Sequence, residues 1–437
     1  MIELCTFRHR IVIFTRVFLL VSVLLPNTLL AATLQVPSQQ FPTIASAIAS
    51  ANSGDSIHLG PGVFQENVSI NKAISLLGSA DHQSIIDGSG NGNVITITSA
   101  DVYISGLGVR HSGDVIEDSD ACIYASKTAT NVKIENNRLS QCAFGIWVSG
   151  SRNPVVINNS VTGYQKKLIS DRGNGIHIWN IKNGVIKGNR VFKVRDGIYL
   201  SNTSTSSIED NVMDSVRFGV HYMYNDNNLI AGNITCNSTV GQAMMFSKKL
   251  VIKNNVMINN QDHGLLLRSI YDSKIVGNIV YGNNKGIYIN DSDFNEITEN
   301  WVENNAVGVA VMAGAEETNV TGNNFVSNAV QVLFSWRYSL YWNNEDRGNY
   351  WSDYLGWDYN SDEVGDRIYY ASNQVDHLMH SHPKMRLLAL SPVIQLLQAL
   401  ESRFPVLRAA SVIDEMPAVR PTLPTPSQVM APEAACL

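Results

Sequence analysis

Charge is scarce in this 437-residue sequence, where Asp, Glu, Lys and Arg together make up 16%. Against 38 acidic residues stand only 32 basic ones, a net charge of −6. Nucleic-acid partners favour a basic stripe, so none is expected here. Long apolar runs are also missing: Val17–Leu25 is the longest, and nothing approaches the ~20 residues that span a bilayer. Cysteine is rare, with five in all and no C-x-x-C pair, which removes zinc-ribbon and thioredoxin readings. Helical 3.6-residue periodicity is absent from the middle of the chain, so a helical repeat is excluded there.

The first 32 residues read as a secretory signal. Arg8, Arg10 and Arg16 precede the apolar run, and Ala31 and Ala32 supply small residues at its exit. An Ala-x-Ala site is lacking, because Leu29 or Leu30 falls three residues before the cut. An uncleaved anchor is therefore the alternative. Loss of residues 1–32 removes Glu3 and three arginines, leaving 29 basic and 37 acidic side chains. Cys5 leaves with them. Cys122 and Cys142 then form a disulfide in an oxidising compartment or remain as buried thiols.

What the sequence does have is a beat. Short apolar strands open at Gly145, Gly175, Gly197, Gly219, Gly264, Gly286 and Gly308, with Ala243 filling the missing place. From Gly197 the steps are 22, 24, 21, 22 and 22 residues. A second series, I/V-x-x-N, ends at Asn137, Asn159, Asn189, Asn211, Asn233, Asn255, Asn278, Asn300 and Asn323. Two phase-locked series at one period mark a solenoid. Pieces such as Gly-Ile-Tyr-Leu (197–200) alternate faces, as strands do. The expected fold is all-β: a single-stranded right-handed parallel β-helix of ~22-residue coils. The asparagines are expected at sharp turns, where Asn tolerates left-handed backbone angles. The single 30-residue step holds an insertion (163–173), which maps to a loop on one face and serves either a partner or nothing.

The ends differ from the coils. Thr43–Ile48 predicts a short helix, followed by Gly54–Leu59 and Pro61–Phe64; this resembles the entry segment of pectin-lyase-like β-helix proteins, where a helix covers the open end. Past Asn323 the beat breaks. Asp358, Asn360, Asp362 and Asp366 occupy positions 1, 3, 5 and 9 of a calcium-loop count, but Glu363 replaces the turn glycine and Tyr369 the bidentate acid. Calcium and an Asx-stitched turn are the two readings. Ser391 and Pro392 predict a helix start, with Val393, Leu396, Leu397, Leu400 and Phe404 on one stripe, for capping the last coil or docking on a partner. The expected division is residues 33–345 for the β-helix, 346–376 for a terminal loop segment, 377–408 for the helical segment and 409–437 for a disordered tail.

GNYWSDY…GWDYNSDEVGD (348–366) resembles the terminal signature of the NosD family, and FGVHYMYNDNN (218–228), AMMFSKKL (243–250), HGLLLRSIYDSKIVGN (263–278) and LLALSPVIQLLQALESRFPVLR (387–408) extend the likeness over most of the mature chain. The resemblance implies a periplasmic protein that is not an enzyme. It would assist maturation of nitrous oxide reductase, a copper enzyme, beside an ABC transporter of the inner membrane and a copper-delivering lipoprotein.

Strand alternation then asks what the coils offer copper. Counting each step residue as zero, with Cys122 and Ala243 in the odd coils, positions +1 and +3 face inward. Position +2 gives an outward column of Tyr124, Trp147, His177, Tyr199, His221, Met245, Leu266 and Tyr288. Position +4 shares that face and gives Trp179, Ser201, Met223, Ser247 and Arg268. His221, Met223 and Met245 are thus the expected metal donors, with Met245 directly beside His221; an imidazole and two thioethers suit Cu(I). His263, at −1, is a weaker candidate, and His177 lies two coils from His221. His377, His380 and His382 form a separate group of loop histidines. The alternative is a carbohydrate-active β-helix enzyme, a uronan epimerase or lyase, built on Asp196, Arg195 and Tyr199 with Trp147 and Trp179 as sugar platforms.

Overall fold

A computed structural model describes residues 31–437 apart from 165–166, 372–374, 376–382, 389–390, 404–409, 428–435 and 437. Three parallel sheets of 13, 12 and 13 strands wrap the chain into a β-solenoid. Along the first sheet, Ile134, Val156, Ile186, Ile208, Ile230, Ile252, Ile275 and Ile297 pair in register, each essentially buried. One coil has no interior of its own; stacking makes it, and each buried aliphatic contributes ~1.5–3 kcal/mol.

The asparagine series is the second stabilising device, and its mechanism differs from the expected one. Every ladder residue from Asn137 to Asn323 donates from Nδ2 to the Oδ1 of its counterpart one coil on, at 2.9–3.1 Å. The same Oδ1 also accepts the backbone N–H of the preceding asparagine. The left-handed angle falls on the residue before each one, such as Asn158, Gly188, Asp210 and Gly232. A buried side-chain amide satisfied at both ends explains why Asn, rather than Gly, is required at the ladder position.

At the N-terminal end, Ile44–Ser50 forms the predicted helix, with Thr43 and Ser46 in a capping box and Ile44, Ala47 and Ile48 turned into the core. The backbone N–H groups of Ile44 and Ala45 donate to the Glu66 carboxylate, which neutralises the helix start. At the other end the solenoid runs on past residue 345. Tyr350–Trp351 pairs with Asn324–Phe325, and Asn349 joins the asparagine ladder.

The tail expected to be disordered instead closes that ladder. Val412–Asp414 forms a strand between Leu340–Tyr341 and Tyr369–Tyr370. The Asp414 carboxylate is fully buried, and its Oδ2 accepts from Asn349 N (2.7 Å), Asn349 Nδ2 (3.3 Å) and Trp351 Nε1 (2.8 Å). The composition around it is loop-like, yet one acid with three donors to satisfy overrides composition. Disulfides join Cys122 to Cys142 and Cys236 to Cys436; the second ties the end of the chain to the middle of the solenoid.

Candidate functional site

The second sheet presents the outward face on which the metal donors were expected. Register corrects one of them. Gly219 faces Gly241, not Ala243, because a Cβ at Gly241 would meet the Gly264 carbonyl oxygen at 2.4 Å, as the step glycines do elsewhere. The count therefore moves by two. His221 pairs with Ala243, which in turn pairs with Leu266, while Met223 pairs with Met245, which in turn pairs with Arg268. Met245 lies beside Met223 and diagonally from His221. Met244 remains inward and fully buried.

The three donors still share one face. Met223 and Met245 stand on adjacent strands, about 4.8 Å apart at the backbone, and His221 is two residues along from Met223, about 6.6 Å. Both methionines are half-buried, and the Tyr199 hydroxyl lies 3.8 Å from the Met223 sulfur, donating to it. His221 is set more deeply, with its ring edge-on to Tyr199 and Phe218 at 5.0 and 4.8 Å.

What fixes His221 is an acid that strand counting missed in this role. Asp196, 1% exposed, accepts from Arg217 Nε at 2.7 Å and Nη2 at 2.6 Å, and its Oδ2 lies 3.0 Å from His221 Nδ1. Burial alone opposes ionisation of Asp196; the hydrogen bonds from His221 and Arg217 outweigh it and hold the carboxyl below the ordinary carboxylate range. An ionised carboxylate only accepts, so the shared proton sits on Nδ1; in the neutral ring the lone pair is then on Nε2, facing away from Asp196. Among the described residues the hydrogen bond of His221 is the one at Nδ1. Asp196 occupies position −1, one coil before His221, and applying the register to −1 as well as +2 would have found it. Arg195, which the enzyme reading paired with it, instead donates to Asn174 Oδ1 at 3.3 Å.

The weaker candidates separate from this group. His263 is buried against Tyr288, and burial pushes its pKa down to about 4. Asp262 Oδ2 stands 3.0 Å from its Nδ1 without hydrogen-bond geometry, too little to offset that burial. His177 lies flat on Trp147 at 4.0 Å, next to Tyr199, and burial pushes its pKa down to about 3. It belongs to the aromatic column. His377, His380, His382 and Phe404 lie outside the described residues.

In the terminal loop, Asp358 accepts from the backbone N–H of Asp362 (3.2 Å) and Glu363 (2.9 Å), and Asp362 from that of Val364 (2.9 Å). Asp362 also accepts from the Asn360 amide at 2.8 Å. These are Asx turns. Among the described residues no three or more His, Cys, Asp or Glu side chains gather as a metal site, so the loop holds itself with the oxygens calcium would use. In the C-terminal helix, Pro392–Arg403, Ser391 Oγ accepts from Ile394 N and Ile394 is buried. Leu396 and Leu397 are 60% and 40% exposed, and Leu400 is half-buried.

Residues 157–356 match the family model described as "Periplasmic copper-binding protein (NosD)", and residues 33–247 match a family of unknown function. A Pseudomonas aeruginosa protein named "Probable ABC transporter binding protein NosD" is 42% identical over 376 residues, which is 83% of this chain and 87% of that protein. Its Stutzerimonas stutzeri namesake is 39% identical over 382 residues, 84% and 87% of the two chains. The chain belongs to the NosD family. Family membership agrees with the expected export to the periplasm.

Among solved structures, the A-module of an Azotobacter vinelandii mannuronan C-5 epimerase superposes with a TM-score of 0.54 at 13% identity, covering 66% of this chain and 90% of that one. The surface adhesin PfbA of Streptococcus pneumoniae gives 0.54 at 15%, covering 66% and 87%. An epimerase and an adhesin on one architecture fix the pectin-lyase-like fold of this NosD-family chain and say nothing of its chemistry.

Proposed function

We propose that this protein binds Cu(I) as cargo on the outward face of the second sheet and passes it on for assembly of the copper centre of nitrous oxide reductase. It acts without catalysis, beside an ABC transporter of the inner membrane and a copper-delivering lipoprotein. The observation that carries the reading is the soft donor set: Met223 and Met245 in register, with His221 held by Asp196 so that Nε2 is the free nitrogen. Thioether and imidazole donors select Cu(I) over the hard cations. The transporter side of the reading is supported by Leu396 and Leu397, which the C-terminal helix leaves exposed while burying Ile394.

The carbohydrate-enzyme alternative needs a base open to substrate. Asp196 is closed to it, since both its oxygens are bonded to Arg217 and His221 inside the protein.

Competition for Cu(I) against a chromophoric chelator tests the reading, using mature protein and the His221→Ala/Met223→Ala/Met245→Ala variant. Tight binding that the variant loses is the expected result. Binding unchanged in the variant would discard the site, and no binding by the parent protein would discard copper as cargo. Leu396→Glu/Leu397→Glu should weaken capture by the purified transporter while leaving copper affinity unchanged. Truncation after Asp376 is a poorer test, because it also strips Asp414 from the ladder.

A further inference from the structure

In eight successive coils of the second sheet, one corner is turned by a residue in the left-handed backbone region. Down the stack these are Gly150 (φ 68°), Asn180 (53°), Asn202 (54°), Tyr224 (58°), Phe246 (48°), Ser269 (53°), Asp291 (51°) and Gly314 (71°). Six of the eight are residues that accept or cap this conformation; two adjacent ones are aromatic, the side chains least suited to it. Those two are also not buried: Tyr224 is 56% exposed and Phe246 37%. Strain and solvent exposure both count against folding.

The rings stack on each other, with centroids 5.3 Å apart and planes 16° from parallel, and the Arg268 guanidinium lies 5.7 Å over Phe246. They line an open, mostly apolar hollow of about 520 Å³ with Asp226, Lys248, Ser269 and Tyr271. Two exposed cations stand at it, Lys248 in its lining and Arg268 over Phe246, on a chain of net charge −6. Tyr224 and Phe246 directly follow Met223 and Met245 in the chain. Whatever rests on the aromatic pair therefore comes within one residue of both thioethers.

We infer that Tyr224, Phe246 and Arg268 form the docking platform for the protein that exchanges Cu(I) with this face. The occupant is a segment presenting an apolar or thioether side chain to the hollow, with carboxylates opposite Lys248 and Arg268. Sulfur over an aromatic face and a carboxylate against a rim cation are the contacts the platform offers. This rests on the copper reading for the partner's identity, while the platform itself is testable without metal.

The test uses Tyr224→Asn/Phe246→Asn, because Asn turns the same corner at positions 180 and 202. The probe is the soluble domain of the copper-delivering lipoprotein, metal-free and Cu(I)-loaded, titrated against full-length mature protein. Expected are a Tm no lower than the parent's, at least a tenfold weaker Kd for the probe in both forms, and Cu(I) affinity by chelator competition within twofold of the parent's. Arg268→Glu should weaken the probe similarly. A probe Kd within twofold of the parent's in the double variant, or no binding by the parent protein, would overturn the platform. Loss of Cu(I) binding in the parent, with probe binding still sensitive to the aromatic pair, would overturn the copper reading and leave the platform standing.

Discussion

Replacing Asp196 by Asn tests the central geometry with a change of one atom. The carboxylate receives Arg217 Nε on Oδ1, and Arg217 Nη2 and His221 Nδ1 on Oδ2. An amide has one acceptor atom and one donor, so either orientation sets an NH₂ against an N–H that the acid satisfied. If the NH₂ faces His221, the ring is driven to the other tautomer, with its proton on Nε2 and its lone pair turned inward. Loss of such an orienting partner lowers metal affinity ~10–100-fold, or ~1.4–2.7 kcal/mol. The ion pair with Arg217 adds a stability loss, reduced because the Arg217 side chain is 36% exposed and water can replace the acid. Arg217→Lys separates the two effects: it weakens the ion pair and keeps the Asp196–His221 contact. The expected pattern is Asp196→Asn with weakened Cu(I) binding, and Arg217→Lys with lowered Tm but near-normal affinity, read by chelator competition and thermal melts. Asp196→Asn within twofold of the parent's affinity would refute the orienting role.

Three further outcomes follow from burial. Gln242 is fully buried between Val220 and Leu265, and neither end of its amide has a partner among the described residues; Gln242→Leu should stabilise the fold by ~1–3 kcal/mol in urea unfolding. His177 has a folded pKa of about 3, below its unfolded value of 6.5, so between those pH values the unfolded chain binds the extra proton and stability falls with acidification. Between pH 7 and pH 5 this amounts to ~2 kcal/mol, and His177→Phe should remove that share of the pH dependence. Asp414→Ala leaves the donors of Asn349 and Trp351 without an acceptor and should cost ~3–5 kcal/mol, seen as early hydrogen exchange at the last coils.

The architecture was legible because period and face alternation are local properties of the sequence. The Gly-Ile steps and the asparagine series each repeat where the backbone needs them, and the short helix announced itself through Thr43 and its apolar spacing. What failed was register in one coil. Ala243 looked like the step residue because Met244 and Met245 resembled an apolar strand start, whereas the glycine needed for close approach was two residues earlier at Gly241. Choosing by the physical requirement, the absence of a Cβ next to the neighbouring carbonyl, would have settled it. Asp414 shows the opposite limit. Its partners are Asn349 and Trp351, more than 60 residues away, and no local pattern marks a loop acid as the end of a ladder.

On the proposed copper reading, the rigidity of the coils also accounts for a donor set on this sheet. Coils locked by aliphatic columns inside and paired amides at the corner cannot shift register without breaking every rung, so outward side chains keep fixed neighbours. A cargo site needs that fixity in its backbone and looseness in its donors. As proposed donors, Met223 and Met245 would supply the second: unbranched thioethers that can follow a metal as it leaves. His221 supplies the opposite, a ring clamped by Asp196 and wedged between Tyr199 and Phe218. One rigid donor and two adaptable ones would let Cu(I) enter without the fold opening and leave by exchange of the methionines. Substituting Met223 alone should therefore change the rate at which a chelator extracts copper more than the affinity, while His221→Ala should change affinity most. If the two variants alter rate and affinity in equal proportion, the division of labour is wrong even with the site in place.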